Sequence, residues 1–401
     1  MPTRSPAPLR DEIARAFPDR PFTVQFWDGS ELPATNGDGP VFRLRSRKAV
    51  AHALRAPGQL GIGRAYVTGE IEVDDLDAAM QVVTNWQPPA VDRREQAKLA
   101  LAAVRAAGPM LPPSPPAAEL QPRGRLHTLA RDARSVRHHY DVSNEFFRLF
   151  LGDTMAYSCA IFSRGAETLE EAQATKLDLV CQKLALQPGE RVLDVGCGWG
   201  SFVLHAAREY GVHVTGITLS EPQARGARER AAEAGLADRI DIRVADYREM
   251  RGERFDAIAS IGMAEHVGES QIDVYAEQLA SLLGSGGRLL NHAIARLQHG
   301  DVTPGPFSDR YVFPDGDPLP LSRMLLALER AGFETQHVEG FGDDYAETLR
   351  HWARRLDENI DEATRMAGPE RVRVWRLYLR AARNGFETGF TSIYQARCRL
   401  P

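Results

Sequence analysis

The feature that most limits this chain's fold is a short apolar run, Arg191-Val192-Leu193-Asp194-Val195, that ends in Gly196-Cys197-Gly198-Trp199-Gly200. A helical pattern follows from Ser201 to Tyr210. Together they read as a strand, a tight turn and a helix start. Glycine accepts the positive φ that such a turn needs, and it lets a ligand approach bare backbone. The spacing is tighter than the G-x-G-x-x-G of dinucleotide-binding turns, because Trp199 stands alone between the last two glycines. A purely structural strand–helix turn remains an alternative.

The downstream order extends the pattern. Val212 to Leu219, Ile240 to Val244, Phe255 to Ile261 and Gly287 to His292 read as further strands. Helical patterns at Glu221 to Ala234 and Ser270 to Leu283 separate them. Such alternation predicts an α/β fold with a parallel sheet covered on both faces. Ligands of these sheets bind beyond the carboxyl ends of the strands. Asp246 falls at such an end and reads equally as a ligand-facing acid or as a helix N-cap. The residue directly after the second strand, Ser220, is not acidic; Thr218-Leu219-Ser220-Glu221-Pro222-Gln223 stands there.

The 401 residues suffice for two or three domains, and a net charge of −5 gives no global attraction to nucleic acid or anionic lipid. The four cysteines, Cys159, Cys181, Cys197 and Cys398, show neither metal-ligand spacing nor a disulfide framework. No apolar run approaches a membrane span, and the N-terminus lacks a signal-peptide core, so a cytoplasmic protein is expected. Gly108-Pro109-Met110-Leu111-Pro112-Pro113-Ser114-Pro115-Pro116 reads as an extended linker. Before it, Phe22 to Trp27, the Asp28-Gly29 turn and Val41 to Arg45 suggest a small β element. Lys48 to Arg55 and Leu76 to Thr84 look helical, giving a small N-terminal α+β module. Basic residues cluster at Arg43, Arg45, Arg47, Lys48 and Arg55, and again at Arg123, Arg125, Arg131, Arg134 and Arg137. They read as a solvated face or as a footprint on anionic phospholipid.

Several motifs occur in one order: His138 to Leu151 (HHYDVSNEFFRLFL), Met155 to Phe162 (MAYSCAIF), Val195 to Gly200 (VGCGWG), Thr218 to Gln223 (TLSEPQ), Glu265 to Gly268 (EHVG), Asn291 to Ile294 (NHAI), Tyr311 to Gly316 (YVFPDG) and Asp344-Tyr345. The G-x-G-x-G turn is similar to motif I of the S-adenosylmethionine-dependent methyltransferases. Over about residues 125 to 401 the chain closely resembles the cyclopropane-fatty-acyl-phospholipid synthases and mycolic acid cyclopropane synthases. The N-terminal match is weaker, mainly at Leu60 to Gly69. The resemblance implies a Rossmann-like class I methyltransferase domain at 121–401, joined by a Pro-rich linker at 108–120 to a lipid-presenting module at 1–107.

It also implies a reaction. A cis alkene in a lipid acyl chain takes the sulfonium methyl of S-adenosylmethionine, and the resulting carbocation loses a proton. In this family a bound bicarbonate ion is the base. The matching positions are Cys159, Glu265, His292, the backbone at Ile294, and Tyr345. Tyr, His and Cys can donate hydrogen bonds to a small oxyanion, and Glu can accept a proton from it. Taken singly, each has an ordinary alternative: a core filler for Cys159, a satisfied polar residue for His292, a helix first-turn acid for Glu265 and a rim aromatic for Tyr345. The cofactor positions carried over are Tyr157, Ser158, Gly196, Gly198, Gly200, Thr218, Leu219, Gln223, Asp246 and Tyr247. His139, Tyr140 and Phe146 belong to the segment expected to fold over the site and meet substrate. No metal site is expected. Many relatives carry a cysteine where Ala382 stands, so no catalytic thiol is expected there.

The same resemblance allows a second product, a 10-methylene acyl chain that a flavin-dependent partner reduces to 10-methyl, and a third case, an inactive lipid-binding relative. Unsaturated phospholipid at the inner membrane face is the implied partner, with peripheral attachment and a homodimer within the family's range.

Overall fold

The computed structural model describes residues 5–110, 113–120, 128, 131, 143–297, 306–314 and 316–401. His139, Tyr140, and Arg123, Arg125, Arg134 and Arg137 of the second basic cluster lie outside them. The chain divides into two compact units.

The first unit gathers residues 1–121, Gly305–Val312 and Ala367–Asn384. Its sheet has the order β2-β1-β3-β4: β1 (Thr23–Gln25), β2 (Glu31–Leu32), β3 (Val41–Leu44) and β4 (Ile71–Val73). The Asp28-Gly29 turn joins β1 to β2, a short strand the sequence does not announce. Gly29 takes φ 84°, and the Asp28 carboxylate accepts from the Ser30 N–H at 2.9 Å. Helices α1 (Ala7–Ala16), α2 (Arg47–Arg55) and α5 (Arg93–Ala107) close a core of Leu9, Val24, Phe26, Leu32, Val50 and Ala106. Helices α3 (Gln59–Val67) and α4 (Leu76–Asn85) complete the N-terminal stretch.

The boundaries expected at 107 and 121 need correction, because later chain completes this unit. Arg64 donates twice to the Glu119 carboxylate, at 2.7 and 2.6 Å, and the Tyr311 hydroxyl donates to it at 3.0 Å. All three are buried. Asp77 accepts from Arg380 and Arg383 at 3.0 and 2.6 Å. The stretch read as a linker is therefore structured at its end, where the Leu120 N–H also donates to the Arg310 carbonyl at 2.8 Å.

The second unit holds a seven-stranded sheet of order β10-β11-β9-β8-β5-β6-β7. Strands β5 (Arg191–Val195), β6 (His213–Thr218), β7 (Ile240–Val244), β8 (Phe255–Ile261) and β9 (Leu283–Arg296) pair in parallel, as the alternation predicts. β9 runs longer than Gly287 to His292. β10 (Glu334–Gly340) and β11 (Thr391–Arg399) add an antiparallel edge absent from the sequence reading. Parallel strands bury both faces, and two apolar clusters fill them. Leu193, Val195, Ile258 and Leu289 line one; Val192, Val214, Ala257 and Leu290 line the other. Helix α7 (Leu169–Lys183) covers the second face with Leu177, Val180 and Cys181, after a Thr168/Glu171 capping box.

Candidate active site

The glycine turn is built as its sequence requires. Gly196, Gly198 and Gly200 take φ of 83°, 53° and 82°, and helix α8 (Ser201–Tyr210) starts at once. A Cβ added at Gly198 would meet only Gln223 Nε2, at 4.0 Å, so backbone there faces open space. Across that space the Thr218 hydroxyl donates to Gln223 Oε1 at 2.8 Å, Leu219 is half-buried, and Ser220 caps helix α9 (Glu221–Glu233). Bare amides, a helix N-terminus and a polar wall form a cradle suited to an adenosyl amino acid.

Helix α6 (Asn144–Leu151) packs against this turn. The Trp199 indole donates to Asn144 Oδ1 at 2.7 Å, and its ring lies 4.9 Å from that of Phe147. Phe146 is fully buried among Phe147 and Phe150. Its ring has no accessible surface and anchors the helix in this packing. Asp246 is buried as the N-cap of the Tyr247–Glu249 turn, accepting from the Arg248 N–H at 2.8 Å and the Arg248 guanidinium at 2.9 and 2.7 Å. Tyr247 is buried edge-on to Tyr275.

Tyr157, Ser158 and Cys159 sit on an irregular segment held from two sides. From α7, Gln173 donates to the Ala156 and Ser158 carbonyls at 3.3 and 2.9 Å, and Lys176 Nζ donates to Ser158 Oγ at 2.9 Å. From helix α13 (Gly342–Glu358), Thr348 accepts the Ala160 N–H at 3.0 Å, and Asp344 accepts the N–H groups of Phe162 and Ser163 at 2.6 and 2.8 Å. The Tyr157 ring lies 5.3 Å from Trp352. Burial pushes the Cys159 thiol well up, so it is a neutral donor; its sulfur lies 3.7 Å from the Phe341 carbonyl.

His292 and Ile294 lie on β9, and Glu265 follows β8 in a short turn. Ile261 pairs with His292, and the Gly262 N–H donates to the His292 carbonyl at 2.8 Å. Burial pushes the Glu265 carboxyl up to about 7, partly offset by hydrogen bonds from its own N–H and that of Ile294. Its Oε2 is buried without a partner among the described residues, and so is His292 Nε2. Burial first, then Lys176 and Lys183, drive the His292 pKa far down and keep the ring neutral. Phe341 gathers the rest: its ring lies 6.3 Å from that of His292, and its carbonyl accepts the Tyr345 N–H at 3.0 Å. Tyr345 packs against Phe386 and Trp352.

Sequence reasoning missed the supports. Lys176 is almost fully buried; burial lowers its pKa, and Asp194 partly restores it. Asp194, at the strand end beside the turn, is raised by burial, with Lys176 opposing. The signal was present in helical spacing. Gln173 and Lys176 fall on the stripe of Leu169, Ala172, Leu177 and Val180, so two polar residues lie on a core face. Asp344 stands out in the sequence only as a motif member. Among the described residues no cluster of His, Cys, Asp and Glu could hold a metal, and no helix is long and apolar enough to cross a membrane.

Comparison with known proteins bears on this geometry. The profile of the mycolic acid cyclopropane synthetase family matches residues 127–396. A Mycobacterium tuberculosis protein named "Probable fatty acid methyltransferase" is 39% identical over 388 residues, which is 94% of this chain and 90% of that one. The solved cyclopropane synthase MmaA2 of Mycobacterium tuberculosis is similar at 33% identity and TM-score 0.64, covering 67% of this chain and 98% of its own. The mycolic acid cyclopropane synthase CmaA1, solved with SAH and CTAB, is similar at 33% identity and TM-score 0.63, with the same coverage.

Proposed function

The chain belongs to the mycolic acid cyclopropane synthetase family of S-adenosylmethionine-dependent methyltransferases, and we propose that it adds a methylene group across the cis double bond of an unsaturated phospholipid acyl chain. The observation that carries this reading is a pair of buried atoms without partners among the described residues, His292 Nε2 on β9 and Glu265 Oε2 in the turn after β8. Leaving a buried polar atom unpaired costs about 1–3 kcal/mol. Two such atoms beside a nucleotide-type cradle are accounted for by a small ligand that accepts from one and donates to the other.

Bound S-adenosylmethionine supplies an electrophilic methyl group. Gly196, Gly198 and Gly200 with the N-terminus of α8 would receive its amino-acid end, together with Tyr157 and Ser158. Thr218, Leu219, Gln223, Asp246 and Tyr247 would surround the adenosine. An alkene is a weak nucleophile, so the residues must fix geometry and exclude water. The staples from α7 and α13 do the first, and the aromatic wall of Tyr157, Tyr345 and Trp352 the second.

Methyl addition leaves a cation on the acyl chain that must lose a proton. Bicarbonate fits the residues: neutral His292 has one N–H to donate, and Glu265, raised to about 7, can hold or release a proton near neutrality. Cys159, Tyr345 and the backbone at Ile294 complete the ligand set. Loss of the proton from the added methyl closes a three-membered ring; loss elsewhere after a hydride shift gives a methylene branch. On this reading the enzyme works at a membrane surface, on its cytoplasmic side.

The test is expression in a host without such enzymes, followed by mass spectrometry and NMR of its phospholipids. One added CH2 with ring-proton resonances is expected. Exocyclic methylene resonances would transfer the assignment to the 10-methylene product, and unaltered acyl chains overturn lipid methylation altogether.

A further inference from the structure

A row of side chains crosses three strands beside the candidate site. Glu339 on β10 pairs in register with Gln395 on β11, and Gln395 pairs in register with His292 on β9. Directly opposed residues share a face of the sheet. Above the row lies the last residue of α7, Lys183. Its Nζ is 2.6 Å from Glu339 Oε2 and 2.7 Å from Gln395 Oε1. The Gln395 amide nitrogen is 3.3 Å from His292 Nδ1. Gln395 and His292 have no accessible surface.

Donor and acceptor chemistry fixes the direction of this row. A Lys ammonium donates only, and Glu339 keeps Lys183 charged by pairing with it. Gln395 must therefore turn its oxygen to Lys183 and its NH2 to the imidazole. An NH2 group donates only, so Nδ1 of His292 must be the bare, accepting nitrogen. The ring's single proton then sits on Nε2, the atom with no partner among the described residues.

We propose that Lys183 is a positioning residue that, through Gln395, locks His292 in the Nε2–H tautomer and so makes it an obligate hydrogen-bond donor to the ligand of the site. The tautomer follows from the row alone; its use in the reaction rests on the function proposed above. The lock gives chemical selectivity. A ligand facing Nε2 must present a lone pair, as an oxyanion does, and a donor such as an ammonium group is rejected. A water that only donates there is disfavoured for the same reason. The lock also keeps His292 from taking the product proton at Nε2, since that position is already filled. The proton acceptor must be another group.

The measurement is a long-range proton–nitrogen correlation spectrum of the full chain labelled with 15N-histidine, the His292 signals being identified by their loss in His292→Asn. A protonated Nε2 and a bare Nδ1 are expected without substrate or carbonate present. Gln395→Glu replaces the donor with a carboxylate. It should protonate Nδ1 and lower kcat by about tenfold or more, with cofactor Kd within about twofold. Lys183→Arg, which also only donates, should keep both the tautomer and the rate. A wild-type ring carrying its proton on Nδ1 overturns the lock, whatever the reaction is, and does so without any variant having to fold. An Nε2–H ring whose Gln395→Glu variant changes tautomer yet turns over normally leaves the lock standing. That outcome overturns the role of His292, and with it the reading of the site.

Discussion

Replacing Glu265 with Gln should make the protein more stable and less active, with the stability gain confined to one pH range. The carboxyl is raised by burial from its ordinary 4.5 to about 7. The folded state thus holds its proton at pH values where the unfolded chain has released it. Native stability then falls as pH climbs from about 4.5 to about 7, and the whole penalty is present above 7. At about 1.4 kcal/mol per unit, the shift corresponds to about 3 kcal/mol. Gln keeps the shape, still accepts the Ile294 N–H and has no such slope. The variant and the wild type should therefore match near pH 4 and diverge to about 3 kcal/mol in the variant's favour above pH 7. Urea denaturation between pH 4 and pH 8 measures the difference, and a buffer series avoids any contribution from activity. Turnover should fall by about 10²-fold, the scale for a lost proton-transfer group. Cofactor affinity should be preserved, because Glu265 lies outside the glycine cradle. Carbonate depletion should slow the wild type much more than the variant. A variant less stable than wild type at pH 8, or a difference independent of pH, would refute the claim that burial of this carboxyl is uncompensated.

Three further outcomes are expected. Gly198→Asp should abolish cofactor binding in calorimetry, since its Cβ meets only open space and its carboxylate would face that of the cofactor; its φ of 53° strains any side chain, so circular dichroism must show the variant folded, and wild-type affinity would move the cofactor elsewhere. Lys176→Met removes the ammonium that holds Ser158 and should weaken cofactor binding by about tenfold, the scale of one hydrogen bond to a charged group, with no effect if Ser158 is irrelevant to the ligand. Glu119→Ala leaves the buried Arg64 guanidinium without its carboxylate and should cost about 3–5 kcal/mol, whereas a cost under about 1 kcal/mol would show that solvent reaches the pair.

The parallel strands were legible because each is an apolar run ended by glycine or a polar turn, and β7 and β8 occupy the residues expected. β10 was not legible: Glu334-Thr335-Gln336-His337-Val338-Glu339-Gly340 has no two-residue alternation, and only its pairing with β11 makes it a strand. The return of Gly305–Val312 and Ala367–Asn384 to the first unit was hidden for a related reason. Their partners, Glu119 and Asp77, are far away in sequence, and an exposed-looking arginine does not declare its carboxylate. Glu265 and His292 carry no local signal either, since one glutamate in a turn and one histidine in a strand are ordinary. Resemblance marked them, and the partnerless atoms supply a physical reason of their own. Lys176 was open to discovery from periodicity alone.

The way the first unit is assembled bears on how the chain can be made. Arg380 and Arg383 reach Asp77 across sequence separations of 303 and 306 residues. During synthesis, the N-terminal 121 residues leave the ribosome long before those arginines exist. Loop closure over such distances is slow, and nascent segments expose apolar surface while they wait. Neither unit can then close until the chain is nearly finished: the first waits for Arg380 and Arg383, and the sheet of the second waits for β11, through which β10 joins it. A stop codon or frameshift anywhere before residue 380 would leave Asp77 without both arginines, a defect at the front of the protein caused by a lesion near its end.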